Sequence, residues 1–178
     1  MTDKQAEIFL KDVADRFRQY RDLGEKAIAR VDDRGFFAML DQESNSIAII
    51  VKHIAGNQRS RWTDFLTGDG EKPDRHRDTE FEIYDSDSRT ALMVQWDRGW
   101  DLALKAVESL KAADLGKTIK IRTETHTVIG AINRQLAHYA CHVGQIIMLA
   151  RHFATSDWQS LSIPRGQSES YNARMQGK

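Results

Sequence analysis

The chain has 178 residues, and its 26 basic side chains are balanced by 26 acidic ones, so the formal net charge is zero. This length suffices for one domain with its own core, and the balanced charge excludes the strong basic field typical of proteins that bind nucleic acid. The single cysteine, Cys141, excludes an intrachain disulfide and fits a reducing compartment. The first residues lack a secretory signal, and no apolar run approaches the ~20 residues of a membrane span. We therefore expect one cytoplasmic domain over residues 1–178, with neither nucleic acid nor membrane as a partner.

Four long segments carry apolar residues at the spacing of amphipathic helices. The first runs from about residue 4 to residue 30, and the second begins near Ser44 or Ser46, where serine is a favourable N-cap, and continues to about residue 65. The third begins at Ser86 or Ser88 and runs to about residue 113, and the fourth spans residues 128–153.

The connections between these segments predict how the helices are ordered. The short gap after the first helix makes the second antiparallel to it, and the long irregular crossover over residues 67–86 permits the third to run parallel to the second. Residues 117–128 alternate with period two and predict a short β-hairpin before the fourth helix. The tail after residue 158 has no helical period, so we expect it to pack in an extended form and then fray. These features predict an all-α four-helix bundle with up-down-down-up topology.

Three histidines can meet within such a bundle. His138 and His142 are four residues apart, so both imidazoles point from one face of the fourth helix. His53 lies on the second helix, and its distance from the helix start matches the height of the pair in the antiparallel fourth helix to within a turn. Three ring nitrogens around one ion are typical of a zinc or similar transition-metal site with an open position. The alternative is that these are ordinary surface or core-edge histidines.

Further polar residues are candidates for roles beside such an ion. Asn57 and Gln145 each follow a histidine by about one helical turn, and either could orient a ligand imidazole or a bound water. Tyr139 occupies the position where a zincin motif has its catalytic glutamate, so a general base would have to come from elsewhere. The candidates lie in the crossover, where a solvated charged loop is the alternative: Asp69, Glu71, Asp78, Glu80 and Glu82. Four arginines could form an anion site, or could instead pair with neighbouring carboxylates: Arg59, Arg61, Arg75 and Arg77.

The histidine set resembles the DinB superfamily of metal-binding four-helix bundles. The matching residues are His53 and the run from His138 through Tyr139-Ala140-Cys141-His142 to Gln145. Four further segments resemble one bacterial subfamily of unassigned function: residues 56–62, 69–72, 75–81 and 160–166. The resemblance implies an up-down-down-up bundle, often dimeric, in which three histidines hold a divalent ion. Carried over to this chain, the ligands are His53, His138 and His142, and some relatives transfer or isomerise substrates with low-molecular-weight thiols.

Two functions remain open on this evidence. In the first, the protein is a metal-dependent thiol S-transferase or hydrolase that acts on a thiol or another small molecule, with zinc or nickel as the ion because imidazole suits both. In the second, it is a non-catalytic binding module whose metal is structural or adventitious. A cleft that reaches the ion would distinguish the enzyme from a closed structural site.

We also expect a homodimer. The resemblance suggests one, and the three consecutive apolar residues Ile8, Phe9 and Leu10 cannot all face one side of a helix. Phe36 and Phe37 pose the same problem before the second helix. The alternative is that the C-terminal tail covers these residues within one chain, through Trp158, Leu161 and Ile163.

Overall fold

The computed structural model describes residues 1–154 and 158–177. The four long helices are α1 (Asp3–Ile28), α3 (Ile47–Trp62), α4 (Arg89–Ser109) and α5 (Val128–Phe153), and the short helices are α2 (Asp33–Phe37) and α6 (Ser168–Gln176). A two-stranded antiparallel hairpin, β1 (Thr118–Ile121) and β2 (Glu124–Thr127), precedes α5. The predicted all-α bundle with a hairpin before its last helix is thus confirmed.

Each long helix begins at a side chain that satisfies a free backbone N–H of the first turn. Thr2 and Gln5 form a reciprocal capping box at α1, and Ser46, Ser88 and Thr127 each accept a hydrogen bond from the N–H three residues ahead. Such caps contribute about 1 kcal/mol each. They explain why the starts of the helices were predictable from the sequence.

Contacts between the helices give the bundle its direction. α1 and α4 are antiparallel, as two contacts show. Arg18 on α1 pairs with Glu108 near the end of α4. Arg89 at the start of α4 donates to the carbonyl of Ile28 at the end of α1. α3 and α4 are parallel: Lys52 pairs with Asp87, just before the cap of α4, and a cavity between Trp62 and the segment 102–110 marks their shared C-terminal end. Early residues of α3 lie beside late residues of α5, as another cavity shows. The order is therefore up-down-down-up.

An aromatic cluster fills the centre of the bundle. The ring of Phe17 packs edge-on against Trp62, Trp100 and Tyr139 at centroid distances of 5.4–6.0 Å. Trp62 Nε1 donates to the hydroxyl of Tyr139 at 2.9 Å, and that hydroxyl donates to Asn57 Oδ1 at 3.2 Å. The indole N–H of Trp62 and the hydroxyl of Tyr139 are thereby paired inside the core, as buried hydrogen-bonding groups normally are, whereas Nε1 of Trp100 has no partner among the described residues.

The crossover between α3 and α4 is anchored on the hairpin. The hairpin turn places Arg122 and Thr123 at positive φ without a glycine, a conformation that costs about 1–2 kcal/mol per residue. The carboxylate of Asp69 offsets this by accepting hydrogen bonds from both backbone N–H groups at 2.8 Å. The crossover then folds back over α3, where a 3₁₀ helix, Arg77–Phe81, lies against it. This docking brings Glu80 to the histidines.

The C-terminal tail differs from our expectation. Residues 168–176 form α6 rather than an extended or frayed segment, although no residue of α6 is buried, so only its local hydrogen bonds define it. Trp158 and Leu161 do pack against the core, beside Leu23, while Ile163 stays largely exposed. Among the described residues, no helix combines the length and apolar character that crossing a bilayer requires.

Candidate metal centre

The three predicted histidines converge at one point between α3 and α5. Nε2 of His138 lies 3.2 Å from Nε2 of His53 and 3.1 Å from Nε2 of His142. His53 is buried, with 5% of its surface exposed, and the other two are half-buried. The antiparallel packing of α3 and α5 produces this arrangement, since it sets His53 at the height of the i, i+4 pair.

The nitrogen separations fit a common metal ion. Two imidazole nitrogens that each lie 2.0–2.1 Å from one ion are about 2.9 Å apart at an octahedral angle and about 3.4 Å apart at a tetrahedral one. Both measured separations fall inside that interval. The donor set, three imidazoles, is one that suits zinc, nickel and copper rather than calcium or magnesium.

Hydrogen bonds behind two of the histidines fix which nitrogen faces the centre. Nδ1 of His53 lies 2.8 Å from a carboxylate oxygen of Glu80, and because an ionised carboxylate can only accept, His53 must carry its proton on Nδ1. Nδ1 of His142 lies 2.8 Å from Oε1 of Gln145. Because an amide oxygen only accepts hydrogen bonds, this Nδ1 also carries the proton. Both residues therefore present Nε2 lone pairs to the centre, which is the role that partners behind metal-binding histidines play.

Neither tautomer of His138 satisfies the Nε2 lone pairs of both His53 and His142. Its Nδ1 is buried without a hydrogen-bond partner among the described residues. If the proton sits on Nδ1, three lone pairs face each other, and if it sits on Nε2, it can satisfy one neighbour at most. Buried polar groups are normally paired. A cation between the three Nε2 atoms would bind the lone pairs that the histidines cannot satisfy among themselves.

His138 and His142 are held in the neutral form that a metal requires. Burial, with smaller contributions from the neighbouring histidines and arginines, lowers the pKa of His138 to about 3. Burial also lowers the pKa of His142, against the opposing effect of its hydrogen bond with Gln145. Neither imidazole therefore needs to lose a proton at neutral pH before it can bind an ion.

Glu80 is held rigidly behind His53. Burial alone would raise the pKa of this carboxyl, but hydrogen bonds from His53 and Arg75 outweigh burial and the pKa lies below its ordinary value. Arg75 binds the carboxylate with two nitrogens, Nε to Oε1 at 2.8 Å and Nη2 to Oε2 at 2.9 Å. The carboxylate also lies directly over Gly56, where a Cβ atom would approach Oε1 to 2.2 Å. The absence of a side chain at Gly56 is what permits the contact with His53.

The other predicted candidates lie in different surroundings. Gln145 contacts His142, whereas Asn57 contacts Tyr139 and reaches the cluster only along the wall of a shared cavity. Of the crossover carboxylates, Asp69 caps the hairpin turn, Glu71 accepts from arginines, and Asp78 is fully exposed. Glu82 pairs with the hydroxyl of Tyr84. Glu80 was considered as a base and as a carboxylate that pairs with the arginines, and its pairing with Arg75 confirms the second role. Its contact with His53 had no signal in the sequence because 27 residues separate them.

A cavity of about 180 Å³ opens beside the cluster. His53 and His138 form one end of it, and Asn57 and Gln135 form part of its wall. The centre is thus accessible from a cleft and is not closed on all sides. The arginines that line the rest of the cavity include Arg122 and Arg134, which sequence analysis did not select, although Arg134 precedes His138 by one helical turn on the same face of α5.

Comparison with known proteins adds a family but no activity. No curated protein and no solved structure matches the chain. A family model described as "Protein of unknown function (DUF1572)" matches residues 4–167, which include all four long helices and the three histidines. The chain therefore belongs to the DUF1572 family, whose function is unknown.

Proposed function

We propose that this protein is a metal-dependent enzyme of the DinB superfamily that uses His53, His138 and His142 to bind a divalent ion, zinc or nickel, and acts on a small molecule. The observation that carries the proposal is the convergence of three Nε2 atoms within 3.2 Å of their neighbours, with two of the imidazoles oriented by Glu80 and Gln145. A bound ion of this type acts as a Lewis acid and lowers the pKa of a coordinated water or thiol.

The cavity supports a catalytic rather than a purely structural centre. A structural site is enclosed by protein ligands, whereas a catalytic site keeps one position open. Here three protein ligands are available among the described residues, and a cleft reaches two of them. The second candidate, a binding module with a structural or adventitious metal, does not account for this cleft.

The surroundings favour thiol transfer over hydrolysis. None of the residues that line the cavity is a carboxylate, and Glu80 and Glu71 behind it are committed to arginines. A bound ion has to lower the pKa of water from about 15.7 to about 7 before water becomes a nucleophile, whereas the ordinary pKa of a thiol is already about 8.5, so the same ion ionises a thiol more completely at neutral pH without a base. We therefore propose thiol S-transfer as the activity: the thiolate sulfur of a low-molecular-weight thiol forms a bond to a carbon of a small electrophile, and the leaving group on that carbon departs with the bonding electron pair and takes up the proton that the thiol has lost.

The first test is the metal content of protein purified without a histidine tag. Elemental analysis should give about one divalent ion per chain, and His142→Ala should lose most of it. His152→Ala is the matched control, because His152 lies exposed on the same helix away from the cluster and its loss should leave the metal content unchanged. Circular dichroism checks that each variant is folded. Stoichiometric metal in a folded triple variant of His53, His138 and His142 would contradict the assignment.

The second test concerns activity. The metal-loaded protein should be screened with low-molecular-weight thiols in combination with electrophiles, and the loss of free thiol should be followed. We expect turnover that His53→Ala abolishes. Turnover that survives this substitution, or hydrolysis of the electrophile without thiol, would exclude S-transfer at this centre.

A further inference from the structure

The cavity beside the histidines has an unusual concentration of positive charge. Five arginines line it: Arg61, Arg75, Arg77, Arg122 and Arg134. Guanidinium groups repel one another, so such a set is stable only when anions compensate it. Any part of the arginine charge that the carboxylates of the chain leave uncompensated therefore indicates the charge of a ligand that the cavity binds.

The carboxylates of the chain compensate only part of this charge. Glu71 lies 3.0–3.5 Å from Arg61, Arg75 and Arg122, and Glu80 pairs with Arg75. Five guanidinium groups minus these two carboxylates leave an excess of three positive charges, and the solvent-facing Asp78 beside Arg77 offsets at most one of them. Arg77 has only the solvent-facing Asp78, at 3.8 Å, and Arg134 forms no ion pair within the part of the chain that the structure describes.

Two of the arginines also have buried N–H groups for which the described part of the chain offers no acceptor. Arg61, with 4% of its surface exposed, donates from Nη1 to Gly70 and Glu71, but its Nε has no acceptor among the described residues. Nη1 of Arg75 is likewise without a hydrogen bond, since Glu71 lies 3.5 Å away. A buried N–H of a charged group without an acceptor is destabilising. Both side chains line the cavity, and an oxyanion bound there would offset their positive charge.

The helices place this charge in line with the metal centre. Each of the two helices carries a row of three residues spaced four apart on one face. The row on α3 is His53, Asn57 and Arg61 in chain order. The row on the antiparallel α5 is His142, His138 and Arg134, against chain order. Of these six residues all but His142 line the cavity, so both rows lead from the histidines to the arginines along it. Eight residues of helix correspond to about 12 Å, so a compact molecule can reach from one end to the other.

From these observations we propose that the arginine-lined cavity is the subsite for a carboxylate or phosphate group of the substrate, which holds that group while the reacting end of the molecule lies at the three histidines. This subsite extends the proposed function, on which its link to catalysis rests. The volume of about 180 Å³ is below the roughly 300 Å³ of the smallest pockets for drug-sized ligands, so the substrate is a small acid or phosphate ester. Arginine suits both groups because its planar fork binds two oxygens at once.

The test is the binding of inorganic phosphate and of acetate, each measured by isothermal titration calorimetry on the full chain. One series uses protein stripped of metal with a chelator, so that no ion can take the anion directly, and a parallel series uses zinc-loaded protein. We expect saturable binding of one anion per chain. A preference for phosphate over acetate assigns the substrate to the phosphate esters, and the reverse preference assigns it to the carboxylic acids.

The decisive variant is the double substitution Arg77→Gln/Arg134→Gln. Both side chains are largely exposed and neither belongs to the buried ion pairs, so the variant should fold and keep its metal. Loss of two charge-assisted contacts should weaken anion binding by about tenfold or more. Arg59→Gln is the matched control, because Arg59 lies on α3 two residues from Arg61 but pairs with Asp74 outside the cavity. It should change the affinity by less than about twofold.

Two results would overturn the subsite. One is the absence of saturable binding of either anion tighter than about 10 mM in both series. The other is binding that the double variant weakens no more than Arg59→Gln does. Zinc content, measured on the same samples, reports the metal centre separately. A chain that binds zinc but fails these tests has the centre without the subsite, and a chain without zinc that passes them has the subsite alone.

Discussion

Gly56→Ala should destabilise this protein, although the same change in an ordinary helix does the opposite. Replacing a helical glycine by alanine normally stabilises by about 1 kcal/mol. Here the new Cβ would lie 2.2 Å from Oε1 and 2.7 Å from Cδ of Glu80. The carboxylate must therefore retreat by more than about 1 Å to reach an ordinary van der Waals distance.

The cost follows from what that retreat breaks. Glu80 would lose its 2.8 Å hydrogen bond with His53 and its two-point contact with Arg75, and the guanidinium would remain buried without its partner. Breaking one side of a buried ion pair costs about 3–5 kcal/mol. After subtraction of the helix gain, we expect a net loss of about 2–4 kcal/mol and a fall in Tm of roughly 5–15 °C. Zinc affinity should also fall, by about 10- to 100-fold, because His53 loses the partner that orients it.

The assay is thermal and urea unfolding in the presence of a chelator, so that metal binding does not contribute, followed by zinc titration against a chelating dye. Gly144→Ala is the control. Gly144 is exposed on α5, two residues from His142, and a Cβ there would meet no atom within 4 Å. This variant should gain about 0.5–1 kcal/mol. The reasoning would be refuted if Gly56→Ala were as stable as the wild type or bound zinc equally tightly.

Three further predictions concern the same centre, the crossover and assembly. Glu80→Gln should weaken zinc binding by about tenfold or more, because the buried carboxylate behind His53 is charged and held by Arg75. Gln145→Ala removes an exposed neutral contact to His142 and should weaken zinc binding by less than about fivefold. Competition with a chelating dye measures both affinities. Hydrogen bonds from backbone N–H groups lower the pKa of Asp69, so its contribution to stability is present above its unfolded pKa and disappears as the pH falls through the lower folded value. The difference in urea stability between the wild type and Asp69→Asn should therefore shrink as the pH falls below about 4, the ordinary pKa of aspartate, and a constant difference would contradict the role of the charge. We also expect a homodimer with twice the 20.4 kDa mass of the chain, to which the 60% exposed Ile8 contributes; a sedimentation experiment at micromolar concentration that shows only monomer would exclude it.

Local sequence determined the helices and the pair on α5. Caps such as Ser46 and Thr127 act on N–H groups within three residues, and the spacing of His138 and His142 acts within one turn, so both can be read without knowledge of the fold. The match of His53 to that pair also followed from the sequence, because regular helices convert residue number directly into height. The assignment of the three as metal ligands stays a prediction.

Only the tertiary structure decided what surrounds the histidines. The crossover has no periodic pattern, so its path depends on Asp69 meeting the hairpin turn and on Gly56 leaving room for Glu80. Neither contact is local, and neither residue type predicts its partner. The bend of the crossover also brings Arg75 and Arg77 to the same cavity as Arg134, which lies more than 50 residues away in the chain. For this protein, short-range hydrogen bonding and helical geometry thus determined where the centre is, and long-range packing of an irregular segment determined its charge and its access.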